Sequence, residues 1–185
     1  MNADPDQLTL HFFPDPILRQ VTAPVDPIDQ TVADVVARMT EIMRGESGLG
    51  LAAPQAGLAW RLFICDIPES ATEPFGEPIP GTQGFTDGPI ICINPSLVDP
   101  SPDRSPYDEG CLSLPGIRGD VIRPEVVTLT ATGLDGKSFT IRASGLLARC
   151  IQHEYDHLDG VLIIDKMTQM SRLKNRSKLK RLQNS

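Results

Sequence analysis

From Asp29 to Arg44 the apolar residues Val32, Val35, Val36, Met39, Ile42 and Met43 recur at the spacing of one buried helical face. A helix is predicted there, ended by Gly45 and Gly48. Gly145 to Leu158 is a second helical pattern, apolar or chemically marked on nearly every side at Leu146, Leu147, Cys150, Ile151, Glu154 and Leu158, so it is expected to be central and buried. Trp60 to Ile67 reads as a strand, and Ile90 to Asn94 as a short one stopped by Pro95. Val126 to Thr132 and Ser138 to Arg142 alternate on either side of Asp135-Gly136, a hairpin signal. Val161 to Ile164 reads as a further brief strand, and Asp15 to Arg19 as a short helical turn. Pro68 to Pro89 holds five prolines and four glycines and predicts a long surface loop, and Pro100 to Tyr107 is rich in turn residues. Strands outnumber helices and do not alternate with them, which points to an α+β fold.

Length and composition fit one domain. The chain has 185 residues, 40% hydrophobic and 22% charged, with only 5% aromatic, so the core must be mostly aliphatic. No apolar run is long enough for a membrane span. The start, Met1 to Asp6, is acidic and polar, unlike a signal or transit peptide, and a cytoplasmic location is expected. Cys65, Cys92, Cys111 and Cys150 form no Cys-x-x-Cys pair, and buried thiols in a reducing compartment are the expectation for Cys65 and Cys92. The net charge of −7 is unevenly spread. Residues 166 to 185 hold seven Lys or Arg and no acid, which leaves ten basic against twenty-four acidic residues, a formal −14, on residues 1 to 165. The chain thus divides into a single domain over 1–165, expected to carry whatever chemistry the chain performs, and a basic helix or tail over 166–185.

The chemistry concentrates in His153-Glu154-Tyr155-Asp156-His157. Histidines four apart on a helix lie one above the other and can converge on one metal ion. The metal acidifies a coordinated water, and Glu154 takes its proton. Two of the chain's three histidines and a glutamate on a buried helix would be costly without an ion. Such a site needs a third protein ligand. A histidine six residues after His157 is absent, because position 163 is Ile, and no glutamate follows Glu154. Cys150 lies two helical turns from His157, roughly 10 Å at 1.5 Å per residue, too far to share a compact sphere. His11, Asp159, Asp165 and Cys111 remain. Cys111 is favoured, because Gly110 permits close backbone approach and a thiolate suits a borderline or soft divalent ion. A metalloendopeptidase and a non-catalytic metal-binding domain are the competing functions at this point.

Three segments, in order, resemble the motifs of the peptide deformylase family: Gly48-Leu49-Gly50-Leu51-Ala52-Ala53-Pro54-Gln55, Glu109-Gly110-Cys111-Leu112-Ser113 and Gln152 to Gly160 with its His-Glu-x-x-His. The likeness covers about residues 8 to 168. It implies antiparallel sheets packed around the metal-binding helix, and removal of the formyl group from the N-terminal formylmethionine of nascent chains. Cys111, His153 and His157 would hold Fe²⁺, replaceable by zinc, nickel or cobalt. Glu154 would be general base and acid, and Gln55 with the Leu112 N–H the oxyanion site. Leu49, Leu146, Cys150 and the His153 ring would line the methionine pocket, and the peptide would pair with backbone near Leu49 and Gly50, with Gly110 beside it. Glu109 and Arg123 would form a supporting ion pair. Arg149 departs from the family's usual apolar residue, and its head is expected to snorkel to the pocket rim. The basic tail suggests attraction to ribosomal RNA near the peptide exit.

Overall fold

The computed structural model of the chain describes residues 3–183 except 73, 74, 76 and 77. Helix α1 (Gln30–Gly45) begins where the Asp29 carboxylate accepts from the Val32 N–H, satisfying a free helix-end donor. Its buried residues are Val32, Val35, Val36, Met39 and Met43, the stripe the sequence marks. Short strand β1 (Gly50–Ala52) pairs antiparallel with β2 (Leu62–Cys65), and β3 (Ile90–Val98), β6 (Val126–Thr132) and β7 (Ser138–Ser144) complete a five-stranded antiparallel sheet in the order β1-β2-β3-β6-β7. A separate two-stranded ribbon joins β4 (Arg104–Gly110) to β5 (Arg118–Pro124).

Strand β2 explains the run Leu62-Phe63-Ile64-Cys65. Leu62 and Ile64 pack with α1 on one face of the sheet. Phe63 and Cys65 pack on the other face with Leu147 and Ile151 of α2 (Gly145–Leu158). A strand covered on both sides loses alternation and becomes continuously apolar. Helix α2 follows β7 without a loop, which carries its chemistry straight under the sheet.

The structure corrects several boundaries. The strand expected to stop at Asn94 runs on to Val98. Asn94 has φ +50°, the pairing shifts register between Ile93 and Ser96, and Pro95 sits inside that bulge, where no ladder N–H is required. The Asn94 side chain in turn ties down both Val25 N–H and Val25 C=O. Val161–Ile164 is not a strand: α3 (Ile163–Lys166) is a single helical turn whose Asp165 carboxylate accepts from the Leu162 N–H. That side-chain bond leaves no trace in the hydrophobic pattern. The turn-rich segment after Pro100 becomes β4, its polar alternation serving an exposed ribbon whose buried face holds Gly119, Val121 and Arg123 of β5.

The tail is a helix, α4 (Gln169–Leu182). Its seat is mostly polar: Met170 and Leu173 are exposed, and of its apolar residues Leu179 and Leu182 lean against the core. Ser171 and Asn175 are buried instead, Ser171 Oγ accepting from the Asp120 N–H and Asn175 Nδ2 donating to Arg118 O. The loop from Pro68 to Pro89 returns to the sheet, with Thr86 N–H donating to Ile67 O and Gln83 N–H to Arg142 O.

Candidate metal centre

Cys111, in the connection between β4 and β5, meets His153 and His157 of α2. One ligand atom from each lies within 4.8 Å of the other two, and among the described residues no other trio of His, Cys, Asp or Glu converges in this way. Cys111 Sγ is 3.4 Å from His157 Nε2. The other candidates for third ligand are engaged elsewhere. His11 Nδ1 is 2.7 Å from the Asp15 carboxylate, Asp159 pairs with Arg61, and Asp165 pairs with Arg19.

The surroundings fit a bound cation. Glu109 Oε2 lies 3.2 Å from His153 Nδ1, an outer carboxylate that fixes the ring. Burial alone would raise the Glu109 carboxyl, but His153 and Arg123 outweigh it and bring it down to about 2. Burial also disfavours a charged His153, yet Cys111 and Glu109 overcome it and push that ring well above its ordinary range. His157 is pushed the other way, first by burial and then by positive charge on His153. The Cys111 sulfur and the Glu109 carboxylate thus favour positive charge on His153, where an ion would carry it. Glu154 is buried beside the trio, burial lifting its carboxyl to about 7. Its Oε2 and His157 Nδ1 are buried without a hydrogen-bond partner among the described residues. Such orphans cost free energy unless something fills the site.

Gln55 is held by its own chain. Its Oε1 accepts from the Ala52 N–H at 2.9 Å, which turns Nε2 toward Cys111 Sγ at 3.5 Å and Ser113 Oγ at 3.2 Å. The Leu112 N–H makes no hydrogen bond among the described residues. Two glycines allow this closeness. A Cβ on Gly50 would fall 2.5 Å from Glu154 Oε1, and one on Gly48 2.7 Å from Leu112 Cδ1. The trio opens into a cleft of about 530 Å³ whose walls include Leu49, Gly50, Gly110, Leu146 and Cys150. Every residue assigned to the pocket from sequence therefore reaches it.

A profile of the polypeptide deformylase family matches residues 8–173. The chain belongs to this family. It is an enzyme, a metal-dependent hydrolase that removes N-formyl groups from polypeptides. Among curated relatives it is 40% identical over 163 residues to a peptide deformylase of Rhizobium meliloti, covering 88% of this chain and 86% of that one. It is likewise 40% identical over 178 residues to one of Novosphingobium aromaticivorans, covering 92% of each. Among solved structures it resembles peptide deformylase of Ehrlichia chaffeensis in complex with actinonin, with a TM-score of 0.85, 33% identity, and 96% of this chain and 98% of that one covered.

One feature of the enzyme's cleft differs from the sequence reading, and a second lies outside it. Arg149 does not snorkel to the rim. Its guanidinium is buried, donating to Ser105 O and Oγ and to Val121 O, 3.5 Å from Glu109 and 5.3 Å above the Tyr107 ring. The partners come from the β4–β5 ribbon, which sequence reasoning missed. The 68–89 loop also reaches the site. Ala71 lines the cleft, and Phe75 stacks against Tyr107 at 4.7 Å between centroids, walling an adjoining pocket of about 150 Å³. The sequence signalled a loop there but not its landing point.

The Glu109–Arg123 pair expected from the resemblance is present and forked, at 2.7 and 2.9 Å, and Arg123 also reaches Asp156 at 2.8 Å. Asp156, inside the helix motif, was not assigned a role from sequence. Its position three after His153, on the same helix face, is the signal that could have found it.

Proposed function

We propose that Cys111, His153 and His157 are the metal ligands, that Glu154 is the general base and then the general acid, and that the substrate is the formamide of an N-terminal formylmethionine. The observation that carries this reading is the convergence of three ligand atoms within 4.8 Å beside a buried, half-unpartnered carboxylate. The bound ion would supply Lewis acidity, acidifying a water and polarising the formyl oxygen. The chain's own groups do the rest. Glu154 takes the water's proton and returns it to the departing amine. Gln55 Nε2 and the Leu112 N–H donate to the oxygen on which charge develops. Leu49, Leu146, Cys150 and the His153 ring enclose the methionine side chain, and the peptide backbone adds as a strand along Leu49 and Gly50, with Gly110 beside it.

A thiolate with two imidazoles suits a borderline divalent ion, and Fe²⁺ is proposed as resident, with zinc, nickel or cobalt able to replace it. Anaerobic purification with metal analysis, paired with assay of formyl-Met-Ala-Ser, tests the reading. One ion per chain and release of formate are expected, with no cleavage of an unformylated protein. Peptide-bond cleavage would replace deformylation by endopeptidase chemistry.

Residues 1–165 are proposed as the catalytic unit, working in the cytoplasm on nascent chains, and 166–185 as its basic appendage. Lys174, Arg176, Lys178 and Arg181 lie on exposed positions of α4 and suit phosphate contact with ribosomal RNA. Reversing those charges should abolish salt-sensitive ribosome pelleting. Equal, salt-insensitive pelleting of both proteins would sink the idea.

A further inference from the structure

Three of the four cysteines gather at and behind the cleft wall, apart from the ligand set. Cys65 of β2, Cys92 of β3 and Cys150 of α2 belong to one apolar cluster. Cys150 Sγ lies 3.3 Å from Cys65 Sγ and 3.4 Å from the Leu49 carbonyl oxygen. These sulfurs come from positions 85 residues apart, and the reaction has no use for Cys65.

We propose that Cys150 and Cys65 form a peroxide-driven, thiol-reversible disulfide, a modification site set into the wall of the substrate cleft. Access assigns the order of events. Cys150 lines the cleft and is 9% exposed, so a small oxidant entering there reaches it before Cys65. Cys65 is 1% exposed, behind it. Burial pushes the Cys65 thiol up, which keeps it protonated and slow toward the oxidant itself. Hydrogen peroxide oxidises the Cys150 thiol to a sulfenic acid and is reduced to water. The Cys65 sulfur then bonds to the Cys150 sulfur, and the sulfenic hydroxyl leaves with the Cys65 proton as a second water. The two sulfurs must close from 3.3 Å to about 2.05 Å, a side-chain movement rather than a refolding of strand or helix.

The bond would be felt in the cleft. Strand β1 passes so close that a Cβ on Gly50 would lie 2.7 Å from Cys150 Sγ. Drawing that sulfur toward Cys65 takes it off the Leu49 carbonyl, on the segment where the peptide is proposed to lie. This consequence rests on the proposed function, whereas formation of the bond does not.

The test uses zinc-loaded enzyme, because zinc has no redox chemistry of its own. After peroxide treatment and trypsin digestion without reductant, Cys65 and Cys92 fall in one peptide, 62–104, and Cys150 in another, 150–166. A Cys92→Ala variant therefore accompanies the wild type. The expected product in both is a linked pair two hydrogens lighter than its parts, released by dithiothreitol and absent from Cys65→Ala. Cys65→Ala should keep its deformylase activity and lose a thiol-reversible rise in KM that the wild type shows. Should Cys65→Ala fold poorly, Cys65→Val serves instead. A Cys150 sulfinic acid with no linked pair, or a link that disappears with Cys92, would overturn the proposal. A linked pair with an unmoved KM would uphold the modification site and refute its coupling to the peptide segment.

Discussion

Glu109 carries three partners at once: His153 Nδ1, the fork of Arg123 and the edge of Arg149. All four groups are buried or nearly so, which makes their pairing obligatory rather than ornamental. Arg123→Met removes the charge facing both Glu109 and Asp156 and should cost about 3–5 kcal/mol in unfolding free energy, read by urea denaturation. Glu109→Gln keeps the shape but weakens the hold on His153. Metal affinity should fall about 10- to 100-fold, measured by competition with a chelating dye. Glu154→Ala removes no proposed ligand, so metal should stay bound while turnover falls by at least about 100-fold. Unchanged turnover there would refute its assigned role. At this scale the sequence was legible where chemistry is local. The His153, Glu154 and His157 spacing is written into one helix, whereas the true place of Arg149 depends on Ser105 and Val121, 44 and 28 residues away.

Strand β1 and helix α4 show how an element's value lies in what it touches. Gly50→Ala would push a methyl group into the Glu154 carboxylate, a contact no rotamer of alanine can relieve. Deformylation should fall at least tenfold with little loss of secondary structure by circular dichroism, since a helix and two-face core hold the strand from either side. Helix α4 is fastened by polar groups, Ser171 to Asp120 and Asn175 to Arg118 O, over Gly119 of β5, where a Cβ would meet Ser171 at 2.8 Å. Truncation after Thr168 would uncover that ribbon and should lower Tm measurably in a thermal melt. For this reason charge reversal, which spares the Ser171 and Asn175 bonds, is the sound way to test the proposed ribosome contact. Elements with strong periodicity, α1, α2 and the β6–β7 hairpin, were readable from the chain because each presents a repeated face to the core. The β4–β5 ribbon and α3 were not. One alternates polar residues around Pro106, and the other is a single turn made by a carboxylate.

Across the whole molecule, α1 and α2 clamp opposite faces of the sheet, and the candidate centre joins α2 to the β4–β5 connection. An ion bridging them would bind the folded chain far better than the unfolded one, so chelation should lower Tm and re-addition restore it. The sequence by itself determined the hydrolytic helix, the three motifs, the α+β class and the separation of acidic body from basic tail, because each is carried by neighbouring residues or by composition. Only the tertiary structure decided that Arg149 is buried instead of wet, that the 68–89 loop reaches the cleft, and that Cys65 lies against Cys150. Those are contacts between segments tens of residues apart, and chain periodicity carries no record of which surfaces will meet. The His-Glu-x-x-His helix carries two of the three converging ligand atoms, and its neighbours in space bring up the Cys111 sulfur, the Gln55 amide and the cleft walls.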